Sequence, residues 1–352
     1  MADEFEPSLV SIIIPTFNRA NMITKAFESA LAQTYRPIEC IVVDDGSTDG
    51  TRRVIEGWGK ELDSEFILRY VVQENAGGCA ARNRGLCASN GEFINFLDSD
   101  DRLLPGTIKR KVDCLRSNAT AYCYDRGLRV DGDGNELGFH GRPWTAYNGL
   151  FFLTYHFDVT GPLIRRQMCA RIGPWDKSLR GHQEVEYFAR LKLHAGRGVF
   201  LDEVGHVVVE HDGPRIVGSK AHADAKLACQ EIILKTIRKA GSDYAHEAAF
   251  LEGMLKLTYA NMAREFYLSS NSAAAMRCLK KAREFGYRNW HVRGIASLHD
   301  RFPSDALVRS YFWTRDICHS AKRRFSKPFQ GGQAAAGGDE VSALFAKLDS
   351  KQ

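Results

Sequence analysis

At 352 residues the chain has room for one large domain or two of ordinary size, and 44% hydrophobic with 26% charged residues is a soluble globular composition. No run nears the roughly 20 apolar residues that span a bilayer, and the acidic start from Met1 to Glu6 lacks the basic-then-apolar pattern of a secretory signal, so a cytoplasmic location, at most at the inner face of the membrane, is expected. Nine cysteines without a CxxC pair argue against a disulfide framework or zinc knuckle, and a net charge of +5 suits phosphorylated ligands without indicating nucleic acid.

The chain opens with a β-branched run from Leu9 to Ile14, a buried strand that Pro15 is expected to stop. Residues 21–33 place Met22, Ile23, Ala26, Phe27, Ala30 and Leu31 at helical spacing. A second strand, Ile38 to Val43, runs into Asp44-Asp45-Gly46-Ser47; Thr51 to Trp58 reads as helix, Ile67 to Val72 as strand and Ala80 to Ala88 as helix. Continuous apolar strands alternating with helices imply a parallel sheet covered on both faces, with ligands beyond the carboxyl ends of its strands. Pro15–Arg19, Asp44–Asp49 and Asp98–Asp101 all sit at such ends.

The run Phe93 to Leu97 delivers Asp98, Asp100 and Asp101 to one strand end. Like charges crowded together disfavour joint ionisation, and a hard divalent ion such as Mg²⁺ or Mn²⁺ relieves that repulsion, completing its shell with water and phosphate oxygens. The spacing therefore points to a metal–diphosphate site.

From 120 to 140 the pattern weakens into short extended pieces around an Asp131–Gly134 turn. A helix follows at about 183–195, then two short strands, Gly198–Asp202 and Val204–Glu210, and a turn at His211–Pro214. Beyond 220 the chain reads as helices near 221–240, 244–269, 272–285 and 304–325, with a Gly/Ala/Gln-rich linker at 330–338.

Six segments in order then resemble the family 2 glycosyltransferases: Ser11 to Arg19, Gln33-Thr34-Tyr35, Val43 to Asp49, Asn75 to Gly78, Ala81 to Gly85 and Phe96 to Asp101. The resemblance covers about residues 8–215 and implies a GT-A fold, a mixed, mostly parallel α/β sheet sandwiched by helices. It also implies a nucleotide-sugar donor, most simply a UDP-sugar, a divalent metal (Mn²⁺ or Mg²⁺) and inversion at the anomeric carbon. The expected domain is 1–217, with a donor half at about 8–118 and an acceptor half at about 119–217. A helical region, 218–328, and a flexible tail with a short helix, 329–352, complete the chain.

Under the resemblance Pro15, Thr16, Phe17 and Asn18 wall the base pocket, and Asp45, with Asp44 as its rival, accepts a hydrogen bond from the base. The alternative for Asp45 is to cap the following helix, and for Phe17 to lie in the core. Arg19 or Arg82 meets the diphosphate. Asp98 and Ser99 lie near the ribose, and Asp100 or Asp101 ligates the metal, with His211 as a further ligand. In the family an acidic residue at the start of the helix near 183 is the general base; here Glu184 holds that place, with one methylene more than the usual Asp. His182 is a candidate acceptor or diphosphate contact, Glu186 is a weaker base because it lies on another helix face, and Trp175 reads as core before sugar platform.

The acceptor is a hydroxyl of a carbohydrate, a lipid-linked molecule or another compound, expected in cell-surface polysaccharide or glycoconjugate synthesis. The basic and aromatic segment 304–329 is either a docked helix or a peripheral membrane contact. The competing reading, prompted by Glu184 and the long helical region, is a nucleotide-sugar-binding scaffold that does not catalyse.

Overall fold

A computed structural model describes residues 5–60, 64–141, 158–210, 220–239 and 271–286, with a few positions between 241 and 266. These lie in one compact unit, Met1–Leu298. His211, the segment 304–329 and the tail lie outside the described residues.

The first part of the chain runs β1 (Glu6–Thr16), α1 (Ile23–Leu31), β2 (Ile38–Asp44), α2 (Thr51–Glu56), β3 (Phe66–Val72), α3 (Gly78–Ala88) and β4 (Gly91–Phe96). It continues through the short β5 (Arg102–Leu103) and α4 (Thr107–Ser117), a helix the sequence reading did not assign. Then come β6 (Tyr122–Val130), β7 (Glu136–His140), β8 (Leu163–Arg165), α5 (Arg166–Ile172), α6 (Gln183–Ala195) and β9 (Val199–Val209). Helices α7 (Lys220–Lys239) and α8 (Ser272–Glu284) follow.

Among the described residues nine strands form one sheet in the order β3-β2-β1-β4-β8-β6-β9-β5, with β7 paired to β6. β1 to β4 pair in parallel, and β6 pairs β9 in parallel. β8 runs antiparallel to both of its neighbours, β4 and β6. The mixed, mostly parallel GT-A architecture expected from the sequence is therefore present.

Successive strand residues point to opposite faces, and helices cover both. Val10, Ile12, Ile14, Cys40 and Val42 pack with Ala26 and Phe27 of α1 and Ile108, Val112 and Leu115 of α4. Ile13, Ile41, Val43, Ile94 and Phe96 face Cys169 and Ile172 of α5 and Tyr187, Phe188 and Leu191 of α6. This two-sided burial is why the strands read as unbroken apolar runs. Leu179, Val185, Ala189 and Leu193, on and before α6, pack against Cys229, Ile233 and Ile237 of α7, so the first C-terminal helix buttresses the helix that carries Glu184.

Two boundaries differ from the sequence expectation. Pro15 does not stop β1, which continues to Thr16 opposite Asp44. Pairing with β4 ends at Ile13, so at Pro15 that side of the strand has no partner to miss the absent N–H. The segment 199–209 is one strand, not two; register shifts against β6 between Tyr124 and Gly127 bend it without ending it. Among the described residues no helix is long and apolar enough to cross a membrane.

Candidate active site

Loops from β1, β2 and β4 meet at the carboxyl edge of the sheet and are stitched to one another. Asp45 N–H donates to Thr16 O at 2.9 Å. Asn18, at φ 53°, receives Thr48 N–H on its side-chain oxygen at 2.8 Å, and its own N–H donates to Ser47 Oγ at 2.9 Å. Phe17 at the rim is 45% exposed, so it is not a core residue; Thr16 beside it is buried, and its hydroxyl finds no hydrogen-bond partner among the described residues.

Asp44 and Asp45 are both buried and divide the work. Asp44 accepts Ser47 N–H at 2.8 Å and the Tyr70 hydroxyl at 2.7 Å, closing its own turn onto β3. Asp45 accepts the Gln73 amide at 2.7 Å and the N–H groups of Ala76 and Gly77 at 2.9 and 2.8 Å. It thus shapes the loop that leads into α3 and does not cap α2, whose first residue, Thr51, bonds Asp49 at 2.9 Å. Gly77 permits this loop: its φ of 90° is a conformation other residues adopt only under strain.

Arg82 of α3 is buried, and its Nη2 donates to Asp98 Oδ1 at 2.7 Å. Nη1 reaches Gln183 Oε1 at 3.2 Å, and the guanidinium lies 4.8 Å from the centre of the Trp175 ring. Arg82, one of the two cations that the sequence offers to the diphosphate, is thus an internal bridge from the acidic rim to the start of α6. Arg19 lies at the rim, with Nη2 3.9 Å from Asp100 Oδ2.

The acidic residues separate by depth. Asp101 is buried; it accepts the Thr160 hydroxyl at 3.0 Å and Val209 N–H at 3.3 Å, and its own N–H bonds Asp98 O at 3.0 Å. Asp100 is partly exposed. Ser99 is buried within the turn between them. Burial, then repulsion from Asp98, Asp100 and Asp158, holds the Asp101 carboxyl well above the usual range. Burial also raises Asp98, against the pull of Arg82. Anions that raise one another in this way fit a hard divalent cation as neutralising partner. Among the described residues no three His, Cys, Asp or Glu side chains stand in metal-binding geometry, and His211 lies outside them.

Glu184 is the second residue of α6 and half-buried. Burial raises its carboxyl, Arg82 pulls it back, and Asp98 and Asp158 add to the rise. Glu184 therefore shares one electrostatic field with the acidic rim. Glu186 is buried and bound by Arg190 at 2.6 and 2.7 Å, consistent with its place on another helix face. His182 precedes α6 with φ 55°, and its carbonyl accepts Cys229 Sγ at 3.3 Å. Trp175 is 1% exposed, stacked on Tyr187 at 4.1 Å, and so is core.

Sequence reasoning missed Gln73, Tyr70, Gln183 and the pair Asp158–His206, which meets at 2.8 Å. Asp158 carried a legible signal, since Asp-x-Thr-Gly is a turn whose carboxylate takes the following N–H groups. His206, inside an apolar strand, carried none.

The Glycosyl transferase family 2 model matches residues 11–171. Over 141 residues, 40% of this chain and 20% of the relative, the sequence is 34% identical to a chondroitin synthase of Escherichia coli. Over 129 residues, 37% of this chain and 50% of the relative, it is 33% identical to the putative teichuronic acid biosynthesis glycosyltransferase TuaG of Bacillus subtilis. The chain thus spans between a fifth and half of the length of these relatives. Among solved structures, S. aureus TarS in complex with UDP-GlcNAc superposes with a TM-score of 0.65 at 20% identity, covering 78% of this chain and 81% of that one.

Proposed function

We propose, for a chain that carries a family 2 glycosyltransferase domain over residues 11–171, that it transfers a sugar from a UDP-sugar to a glycan hydroxyl with inversion, in cell-surface polysaccharide or glycoconjugate synthesis. The observation that carries this reading is the Arg82 bridge. One guanidinium joins Asp98 of the acidic rim to Gln183, the neighbour of Glu184, so leaving-group side and acceptor side are built as one unit. The similarity to a chondroitin synthase and to the putative teichuronic acid biosynthesis glycosyltransferase TuaG supports a glycan acceptor, and the UDP-GlcNAc held by TarS supports the donor class.

Asp45, Asp44 and the Gly77 turn would hold the base, with Thr16 and Phe17 beside it. Glu184 would take the proton of the acceptor hydroxyl as its oxygen attacks the anomeric carbon from the face opposite the leaving group. The bond from that carbon to the diphosphate oxygen then breaks, and UDP departs. A carboxylate raised by burial is a stronger base than one in water, which suits the abstraction of a hydroxyl proton. Asp100 or Asp101 would hold a divalent ion, with His211 the further candidate; when bound it would supply positive charge to the departing diphosphate. Arg19 at the rim would add to that charge.

Calorimetric titration of UDP with and without Mn²⁺, followed by donor hydrolysis on wild type and Glu184→Gln, tests the reading. Metal-dependent UDP binding, with turnover lost in Glu184→Gln, is expected. Metal-dependent binding without turnover for any donor and acceptor would instead identify a non-catalytic scaffold. UDP binding indifferent to metal would remove the metal–diphosphate assignment.

A further inference from the structure

Four ionisable side chains that the transfer chemistry does not use form a continuous buried chain leading to the acidic rim. Lys111 Nζ of α4 lies 2.9 Å from Asp125 Oδ2 of β6. Asp125 Oδ1 lies 2.9 Å from His206 Nδ1 of β9, and His206 Nε2 lies 2.8 Å from Asp158 Oδ2. Lys111, Asp125 and His206 are 0%, 3% and 1% exposed. Both imidazole nitrogens face carboxylates, the arrangement that suits an imidazolium donating twice. Burial opposes that charge, but Asp158 and Asp125 carry the histidine pKa up to about 10. Two cations then balance two anions.

Room for this chain is made by the backbone. A Cβ at Gly127, which pairs with His206, would stand 2.4 Å from His206 Nε2, and one at Gly205 would stand 1.7 Å from Asp125 Oδ2. Burying ion pairs is a poor route to stability, since desolvation offsets much of the attraction. A fold that opens two strands to admit four such groups calls for another reason.

The far end of the chain supplies one. Asp158 Oδ1 accepts the N–H groups of Thr160 and Gly161 at 3.0 and 2.9 Å. Thr160 is fully buried, and its hydroxyl donates to Asp101 Oδ2 at 3.0 Å, while Asp101 N–H bonds Asp98 O at 3.0 Å. A chain of contacts thus runs from α4 to the Asp98–Asp101 loop.

We propose that Lys111, Asp125, His206 and Asp158 form a positioning relay for the donor site. The relay holds the 158–161 turn and, through Thr160, sets the Asp98–Asp101 loop in the geometry that binds metal and diphosphate. This inference rests on the reading of that loop as the metal–diphosphate site. Without the cation at position 206, Asp158 stands as an unpaired anion in the field of Asp98 and Asp101, and the turn it clamps relaxes.

The test measures UDP affinity by calorimetry with and without Mn²⁺, below the melting temperature, for full-length wild type, His206→Gln and Thr160→Val. Thr160→Val cuts the link to Asp101 without disturbing the buried charges. Support around a metal site is worth about tenfold or more in affinity. UDP affinity in Mn²⁺ is therefore expected to fall about tenfold in each variant that folds, while metal-free UDP affinity stays at the wild-type value. A residue that served stability alone would lower the melting temperature and leave the Mn²⁺-dependent gain intact; that result in Thr160→Val overturns the relay. If His206→Gln does not fold, Thr160→Val decides. Wild type without Mn²⁺-dependent binding overturns the donor-site reading and the relay's role with it, whereas binding equal in wild type and variants removes the relay alone.

Discussion

Arg82 Nη1 lies 3.2 Å from Gln183 Oε1, joining the helix after the glycine turn to the first residue of the helix that carries Glu184. The same guanidinium holds Asp98 at 2.7 Å and covers the Trp175 ring. A planar fork can serve both partners while stacked on an aromatic face; a lysine cannot. Arg82→Lys is therefore expected to keep the charge and lose the geometry. Turnover should fall about tenfold, roughly 1.4 kcal/mol of transition-state stabilisation, with a smaller change in melting temperature. Parallel kinetics and thermal melts check this, and unchanged turnover would mean that the bridge does not align the two sides.

Under the proposed mechanism Glu184→Gln removes the proton acceptor and leaves the Asp45 loop and the acidic rim in place. Turnover is expected to drop by about 10²- to 10⁴-fold with UDP affinity in Mn²⁺ unchanged. Because burial raises the Glu184 carboxyl, the wild-type rate should already decline on the acid side above pH 4.5, the ordinary value for this group. A pH–rate profile reads this directly. A profile flat down to pH 4.5 would remove Glu184 as the base.

Gly77→Ala tests the turn that Asp45 organises. At φ 90° an alanine is strained by about 1–3 kcal/mol, and no neighbouring atom blocks the added methyl. Denaturant unfolding should register that loss. UDP affinity should fall too, since Asp45 takes its hydrogen bonds from this turn.

His206 predicts a pH dependence of stability. Its folded pKa is raised from 6.5 to about 10, so its contribution is complete below pH 6.5 and is lost as pH rises toward 10. Asp158 is held low chiefly by His206 against the effect of burial, so its contribution is present above pH 3.8 and is lost in acid. The melting temperature of the metal-free protein should decline between pH 6.5 and 10, and His206→Gln should flatten that slope. Equal slopes in both proteins would show that the histidine does not carry this charge.

The Asp98–Asp101 strand end and the glycine turn could be read from the chain because their chemistry is local. The apolar run of β4 must end somewhere, and the three carboxylates follow it directly in the chain. Phe17 could not be assigned from sequence, since an aromatic after a strand serves either core or rim; only the packed loops leave it 45% exposed. Asp100 and Asp101 were equivalent on paper for the same reason. Their difference comes from Thr160 and Val209, 59 and 108 positions along the chain, which take the second carboxylate inward.

By itself the sequence determined the alternating strands and helices, and the acidic and glycine-rich loops at the carboxyl ends of the strands. Each follows from hydrophobic periodicity or turn chemistry within a few residues. Only the tertiary structure decided that Arg82 is a bridge, that Asp45 shapes the loop before α3 and that Lys111, Asp125, His206 and Asp158 meet. A buried charge is tolerable only beside its partner, and that partner lies on another element at a distance no local pattern encodes.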